Sequence, residues 1–450
     1  MYNKIIEKIK NKNICILGLG KEGMSTYKFI RRHLPNKFIT IIDKKDVSNL
    51  ISDNNVKIIY GDNYLDNLDI YDLIIKTPGI SFKDINIDNI KDKITSQLEL
   101  LLEVFKENTI GITGTKGKST TSTLIYKIIK DQGYDTYLLG NIGNPMFDDI
   151  EKFSSDTYLV IEMSSLQLEF VKVSPYIGIV LNLLEDHLDH AGTVHHYHEC
   201  KMNMFKYQNE KDYCIYSLDD INTVNWINNN DYLSNIYKVT LNNIKENNVI
   251  YLENDNVILN NNIVYNNNSK RNLVGAHNLS NIMFSLLVAK ILKLDISKTV
   301  ESISNFIPLE HRLELVGTYN EITYYNDSIS TIPMATINAV KALKNVDTLI
   351  FGGMDRGIDY SDLVEFLSNS NITNLICMPT TGYKIGEQLK EITTNKNIYF
   401  IETLKEAVDK AKIVTEKGKI CLMSPAASSY EYFKNFEEKG TKYKEFVKEN

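Results

Sequence analysis

Short, almost wholly apolar runs alternate with amphipathic stretches along much of the chain. NICIL (Asn13–Leu17), FITII (Phe38–Ile42), VKIIY (Val56–Tyr60) and LIIK (Leu73–Lys76) read as strands, and Glu22–His33 carries helical periodicity. Runs of four or five residues rich in Ile and Val suit strands buried on both faces, and their alternation with helices predicts a parallel α/β sheet. A second unit of this kind begins at Asn108–Thr113, turns through glycines into a helix at Ser119–Lys130, and continues with strands at Tyr158–Glu162 and Ile177–Asn182. The stretch from Asp219 to Lys270 is Asn-heavy, with short runs such as NNVIYLEN and NNIVYNNN, and predicts surface β-hairpins. His277–Leu292 is an amphipathic helix with a long apolar stretch, IMFSLLVAKIL. A third alternating unit starts near Tyr324 and runs through Thr348–Gly352, Asn374–Met378 and Ile420–Met423.

A length of 450 residues exceeds what one core supports and favours about three domains. The pattern sets the breaks near residues 105 and 310, giving 1–105, 106–309 and 310–450. With 43% hydrophobic residues there is enough apolar material for sizeable cores, which excludes wholesale disorder. Fifty Lys+Arg against fifty-seven Asp+Glu leave a net charge of -7, so general nucleic-acid or anionic-membrane binding is not expected. Cys15, Cys200, Cys214, Cys377 and Cys421 have no metal-type spacing and read as reduced, mostly buried thiols. No apolar run is long enough to span a bilayer, and the N-terminus lacks the features of a signal peptide. The expected location is the cytoplasm.

Several motifs carry chemistry. Gly18-Leu19-Gly20-Lys21-Glu22-Gly23 follows the first strand and opens a helix, with Asp43 ending the next strand. Glycines there allow a tight turn and close approach of a diphosphate to a helix N-terminus, the pattern of a dinucleotide site with its ribose-binding acid. An NAD-binding oxidoreductase is one reading of it. Gly114-Thr115-Lys116-Gly117-Lys118-Ser119-Thr120 also lies between a strand and a helix, although Ile112 stands where a strict phosphate loop has its first glycine. Gly114 and Gly117 let the backbone wrap phosphates, Lys118 neutralises β/γ charge, and Ser119 suits Mg²⁺. Two phosphate loops about a hundred residues apart imply two nucleotides.

Glu162, at the end of an apolar strand and followed by Met163-Ser164-Ser165-Leu166-Gln167, is suited to Mg²⁺. His187 lies among carboxylates in Asn182–His190, a setting for a divalent cation or a phosphate. The run His195-His196-Tyr197-His198 reads as a solvated helix start, and Lys201 as a surface lysine on the face of Tyr197. Asn278 and Asn281 offer amides to an adenine or ribose, Arg312 a phosphate clamp, and Asp327 a ribose or metal ligand, although each segment alone reads more readily as a cap or turn than as a ligand site.

The order GTKGKST, EMSSLQLE, NLLEDHLDH, Tyr197-x-x-x-Lys201, GAHNLSN, HRLE and NDS resembles the Mur ligases over essentially the whole chain. Gly18–Gly23, Thr77-Pro78-Gly79, Gly140-Asn141-Ile142-Gly143 and Ser424-Pro425-Ala426 through Phe436 resemble the branch that adds glutamate. The resemblance implies an α/β fold with an N-terminal Rossmann-like domain for a UDP-sugar, a central P-loop ATPase-type domain for ATP, and a C-terminal Rossmann-like domain for the amino acid. It implies ATP-dependent addition of D-glutamate to UDP-N-acetylmuramoyl-L-alanine through an acyl phosphate, in cytoplasmic peptidoglycan precursor synthesis, by a monomer. Gly18, Gly20, Lys21, Glu22, Asp43, Lys44, Thr77, Pro78, Gly79, Asn141 and Gln167 would contact the UDP-substrate. Gly114–Thr120 with Asn278, Asn281, Arg312 and Asp327 would hold ATP. Ser119 and Glu162 would hold one Mg²⁺, and His187 with a carbamylated Lys201 a second; Lys118, His187 and Lys201 would be catalytic. Thr331, Arg356, Ser429, Tyr430 and Phe436 would form the glutamate site.

Two positions depart from that pattern. Ile329 follows Asn326-Asp327-Ser328 where many members have lysine, and Arg356 follows the Gly352-Gly353 turn where others have lysine. Addition of L-glutamate therefore stays open as an alternative.

Overall fold

The computed structural model describes residues 1–83, 85–184 and 192–449. The described residues form three sheets. The first contains β1 (Ile14–Leu17), β2 (Ile39–Asp43), β3 (Val56–Tyr60), β4 (Leu73–Lys76) and β5 (Ile94–Thr95) in the order β3-β2-β1-β4-β5, all parallel. Its strands are apolar on both faces. Ile14, Ile16, Ile39, Ile41, Leu73 and Ile75 face one core, and Cys15, Leu17, Ile42 and Ile74 face another. Between β1 and β4 the strand order reverses, and the loops leaving both strands meet there. Such a switch point is where open α/β sheets bind ligands.

The second sheet has nine strands: β6 (Thr109–Thr113), β7 (Thr136–Gly140), β8 (Tyr158–Glu162), β9 (Ile177–Val180), β10 (Tyr213–Ser217), β11 (Asn235–Thr240), β12 (Val249–Glu253), β13 (Asn256–Leu259) and β14 (Asn262–Asn266). Their order is β14-β13-β12-β11-β10-β9-β6-β8-β7. The Asn-rich stretch contributes more than hairpins. Ile221–Asn228 is a helix, capped by Asp220 accepting from the Thr223 N–H, and β10, β11 and β12 pair in parallel. Only β12-β13-β14 forms the expected antiparallel meander. Asparagine is abundant in the turns of this region, where Asn248, Asn254, Asn260 and Asn261 adopt positive φ.

The third sheet has the order β15-β16-β20-β17-β18-β19, built from β15 (Glu314–Tyr319), β16 (Ile322–Asn326), β17 (Val346–Phe351), β18 (Asn374–Cys377), β19 (Asn397–Phe400) and β20 (Ile420–Met423). Only the edge strand β15 is antiparallel. Leu349, Phe351, Leu375 and Cys377 face one core, while Ile350, Ile376, Cys421 and Met423 face the other.

Contacts group the chain into two compact units. One is Met1–Lys270 with Ser280–Asn305, and the other is Arg271–Leu279 with Phe306–Asn450. The first two sheets share a unit because they share a core: the ring of Phe29, on the helix Lys21–His33, lies 4.6 Å from that of Phe147, in the turn after β7. Among the described residues no helix is long and apolar enough to cross a membrane. All five cysteines are buried with free thiols, as their spacing predicts.

Candidate functional site

In the first unit the turn after β1 is pinned before any ligand arrives. Gly18 donates its N–H to the Ile42 carbonyl at 2.7 Å, and Asp43 Oδ2 accepts from the Leu19 N–H at 2.8 Å. Asp43 Oδ1 takes the Lys45 N–H, so this acid shapes two loops. Thr77 donates both its N–H and its hydroxyl to the Leu17 carbonyl, which ties Thr77-Pro78-Gly79 to the Gly18–Gly23 turn. Gly20, Lys21 and Lys44 line the same end of the sheet and are all exposed.

Glu22 reaches from this turn to the central domain. Its Oε1 accepts from Gln167 Nε2 at 2.5 Å, while Gln167 Oε1 accepts from the Ser164 N–H in a capping box. Burial raises the Glu22 pKa, against the Gln167 hydrogen bond and the charge of Lys76. Lys76, buried at the end of β4, sits 3.3 Å from Glu169 Oε2, and Glu169 Oε1 lies 3.5 Å from His196 Nε2. Burial would raise the Glu169 carboxyl, but His196 and Lys76 outweigh it and hold it low. Glu169 therefore links three segments that carry predicted site residues: the Thr77 turn, the Gln167 turn and the Lys201 helix. The sequence reading missed it, and left Lys76 unassigned. His196 is no simple solvated helix start, since Cys200 and Glu169 hold its pKa well above the ordinary imidazole range, and His198 is buried.

The phosphate loop follows β6, flanked by β8 and β9. Gly117 adopts φ +89°, and a side chain there would come within 2.8 Å of Asn281 Oδ1, so glycine is required. The helix Lys118–Asp131 starts immediately afterwards, directing its first N–H groups and dipole at the loop. Thr115 and Thr120 are buried, and Ser119 is half-buried at the helix start. Asn182, after β9, takes the N–H groups of Thr115 and Lys116 on its Oδ1 at 3.0 and 2.8 Å. The loop's early amides are thereby used to shape it, leaving the helix start to meet an anion. Lys118 Nζ folds onto the carbonyls of Gly114 and Thr115 at 2.8 and 3.1 Å.

Lys201 is not a surface lysine. It is 1% exposed, its Nζ donates to the Gly114 carbonyl at 3.1 Å and lies 4.6 Å from the Tyr197 ring centroid. The Gly114 carbonyl thus joins Lys118 and Lys201. Glu162 ends the adjacent β8, 1% exposed; its Oε1 accepts from Asn141 Nδ2 at 2.9 Å, and its buried Oε2 has no hydrogen-bond partner. An orphaned, buried carboxylate oxygen on the strand paired with β6, next to the phosphate loop, fits a hard cation such as Mg²⁺. Asn281 joins this group by accepting from the Thr121 hydroxyl at 3.2 Å. His187 lies outside the described residues.

The second unit holds the remaining predicted residues. Asn278 donates to the Val274 carbonyl at 2.8 Å. Asp327 is fully enclosed: Oδ1 accepts from the Leu313 N–H and Oδ2 from the Ser424 hydroxyl, and burial pushes its pKa up to about 6, against Ser330, Ser424, Leu313 and Arg312. Arg312 also disfavours protonation of His277, whose pKa burial already lowers. Thr331 is half-buried, and Arg356 and Tyr430 are exposed. Ser429 is 3% exposed with an unpartnered hydroxyl, and Phe436 begins the helix Phe436–Lys448, its ring edge-on to His311 at 6.2 Å.

Residues 112–289 match the Mur ligase middle domain, and residues 311–427 match the Mur ligase glutamate ligase domain. The chain is 33% identical to the UDP-N-acetylmuramoylalanine–D-glutamate ligase of Clostridium botulinum (strain 657 / Type Ba4), over 99% of this chain and 98% of that one. Against the corresponding ligase of Clostridium acetobutylicum it is 34% identical, with the same coverage. The fold is similar to that of MurF from Acinetobacter baumannii (TM-score 0.61, 13% identity, 96% of this chain and 90% of that one). It is also similar to MurC from Thermotoga maritima (TM-score 0.58, 18% identity, 97% and 99%). With its middle and glutamate ligase domains both matched and its relatives aligned from end to end, the chain belongs to the Mur ligase family.

Proposed function

We propose that this protein is the ATP-dependent ligase that adds D-glutamate to UDP-N-acetylmuramoyl-L-alanine. The observation that carries the proposal is the end-to-end similarity to relatives bearing that activity in their names, joined to a site whose parts suit it. Residues 1–105 bind the UDP portion, 106–309 bind ATP, and 310–450 bring the amino acid.

A carboxylate is a poor acyl donor. The L-alanyl carboxylate first takes the γ-phosphoryl group of ATP, forming an acyl phosphate and ADP. The glutamate amine then attacks the acyl carbon through a tetrahedral intermediate, and phosphate leaves. Both steps gather anions, so preorganised donors and cations are required where charge develops. Lys118 and the first N–H groups of its helix hold the transferring phosphoryl group. Ser119 and Glu162 would hold one Mg²⁺ and His187 with carbamylated Lys201 a second, and the metal's part is to neutralise phosphate charge. Carbamylation suits Lys201 because it converts a buried ammonium into an oxygen donor, and Tyr197 and the Gly114 carbonyl fix where its nitrogen sits. Asn141 orients Glu162 and, with Gln167, meets the muramoyl portion. Asn278, Asn281, Arg312 and Asp327 bind the adenosine and phosphates, and Thr331, Arg356, Ser429, Tyr430 and Phe436 the glutamate. The end-to-end similarity to ligases named for a UDP-N-acetylmuramoyl substrate favours reuse of the Gly18–Gly23 turn for a UDP-sugar over an NAD site.

The test is phosphate release from ATP in the presence of UDP-N-acetylmuramoyl-L-alanine, with D-glutamate, L-glutamate and meso-diaminopimelate assayed side by side. D-glutamate alone should support turnover. Ile329, which departs from the lysine of the family pattern, keeps L-glutamate open as the second reading, and turnover with the L-isomer would select it. No turnover with any of the three would refute both.

A further inference from the structure

Lys439 is a buried lysine to which none of the chemistry above gives a role. It is 2% exposed, on the first turn of the helix Phe436–Lys448, and its Nζ donates to the Gly352 carbonyl at 2.8 Å while lying 5.8 Å from the Phe433 ring centroid. Burial lowers its pKa to about 7, so the amine can serve as a donor to a carbonyl without a neighbouring counter-charge.

The elements it joins carry residues proposed above to bind glutamate. The Gly352-Gly353 turn precedes Arg356, and it is fixed to the loop after β20 by the Gly352 N–H on the Pro425 carbonyl and the Met354 N–H on the Ser428 carbonyl, at 2.9 and 2.8 Å. Ser429 follows, with its buried hydroxyl unpartnered. The helix start is held equally closely. A side chain at Gly440 would come within 2.2 Å of His311 Nδ1 and 2.4 Å of Ser328 Oγ, so only glycine lets the helix approach. An orphaned hydroxyl, an exposed guanidinium and an aromatic ring on three separate segments recognise one ligand only if those segments keep register.

We propose that Lys439 is the positioning residue of the amino-acid pocket: by holding the Gly352 carbonyl it keeps the Arg356 turn in register with Ser429 and Phe436, and so sets the affinity for glutamate. This rests on the glutamate-ligase reading. The experiment is a double-mutant cycle of Lys439→Met and Arg356→Ala, varying glutamate, ATP and UDP-N-acetylmuramoyl-L-alanine separately.

Each single substitution should raise the KM for glutamate roughly tenfold, with the other two KM values within about twofold. The double variant should resemble the singles and not their product, because Lys439 acts through the Arg356 turn. A folded Lys439→Met protein with an unchanged KM for glutamate would overturn the proposal, as would a multiplicative, roughly hundredfold effect in the double variant. If Lys439→Met does not fold, Lys439→Gln carries the same cycle. Failure of both to fold would make Lys439 a stabilising residue only, which also overturns the proposal. Absence of turnover by the unaltered protein would instead overturn the ligase reading.

Discussion

Asn182 grips Lys116 from both sides: its Oδ1 accepts the Lys116 N–H at 2.8 Å, and its Nδ2 donates to the Lys116 carbonyl at 3.0 Å. A planar amide is the side chain able to do both at once. Asn182→Ala should cost about 1–2 kcal/mol in stability from the lost hydrogen bonds and raise the KM for ATP roughly tenfold, while the KM for glutamate stays constant. Thermal unfolding and steady-state kinetics check the two parts. Asn182→Asp, which keeps the acceptor and loses the donor, should fall between alanine and the parent.

Glu162→Gln removes the charge on the orphaned oxygen without changing the shape of the side chain. The Mg²⁺ concentration for half-maximal turnover should rise by roughly 10–100-fold. Unchanged Mg²⁺ dependence in a variant with intact β8 would remove Glu162 from the metal site.

Lys201→Ala should abolish turnover, and short carboxylic acids should partly restore it by supplying the missing oxygen donor. The check is initial rate against acetate and formate concentration. Failure of rescue would remove the carbamate while leaving the ligase assignment intact.

Asp327 makes the stability of the fold depend on pH. In the folded chain it holds its proton to about pH 6, whereas an unfolded aspartate ionises near pH 4. The folded state binds more protons between those values, so this residue's contribution to stability declines as pH rises from about 4 to 6 and then levels off. The difference is worth roughly 3 kcal/mol. Asp327→Asn should flatten that decline, seen as a gap between variant and parent urea midpoints that changes between pH 4 and pH 8. Parallel curves would show that folding leaves the Asp327 pKa unshifted.

Much of the fold was legible because the strands are apolar on both faces and the glycine turns sit directly after them. Val56–Tyr60, Leu73–Lys76, Tyr158–Glu162 and Ile420–Met423 have the same limits in sequence pattern and structure. The helix Ile221–Asn228 was hidden by three asparagines in eight residues, which outweigh its apolar face on propensity alone. β19 was missed because NIYF is short and lies at a sheet edge, with no residue fully buried.

The site was legible in its loops and not in its supports. Lys118 and Glu162 announce themselves by position after a strand. Lys201, Glu169 and Lys439 acquire meaning only when strand order brings distant segments together, and no local pattern distinguishes a buried lysine from a solvated one.

The buried cysteines have a practical consequence. Cys15 lies in the first sheet, Cys214 in the second, and Cys377 and Cys421 in the third. Burial raises the pKa of each of these four thiols, and a protonated, enclosed sulfur does not alkylate. Each sheet therefore carries its own built-in clock. The rate at which a given cysteine takes up iodoacetamide, read peptide by peptide in a mass spectrometer, would time the opening of one sheet independently of the other two, and would reveal which of them a bound nucleotide or UDP-sugar slows.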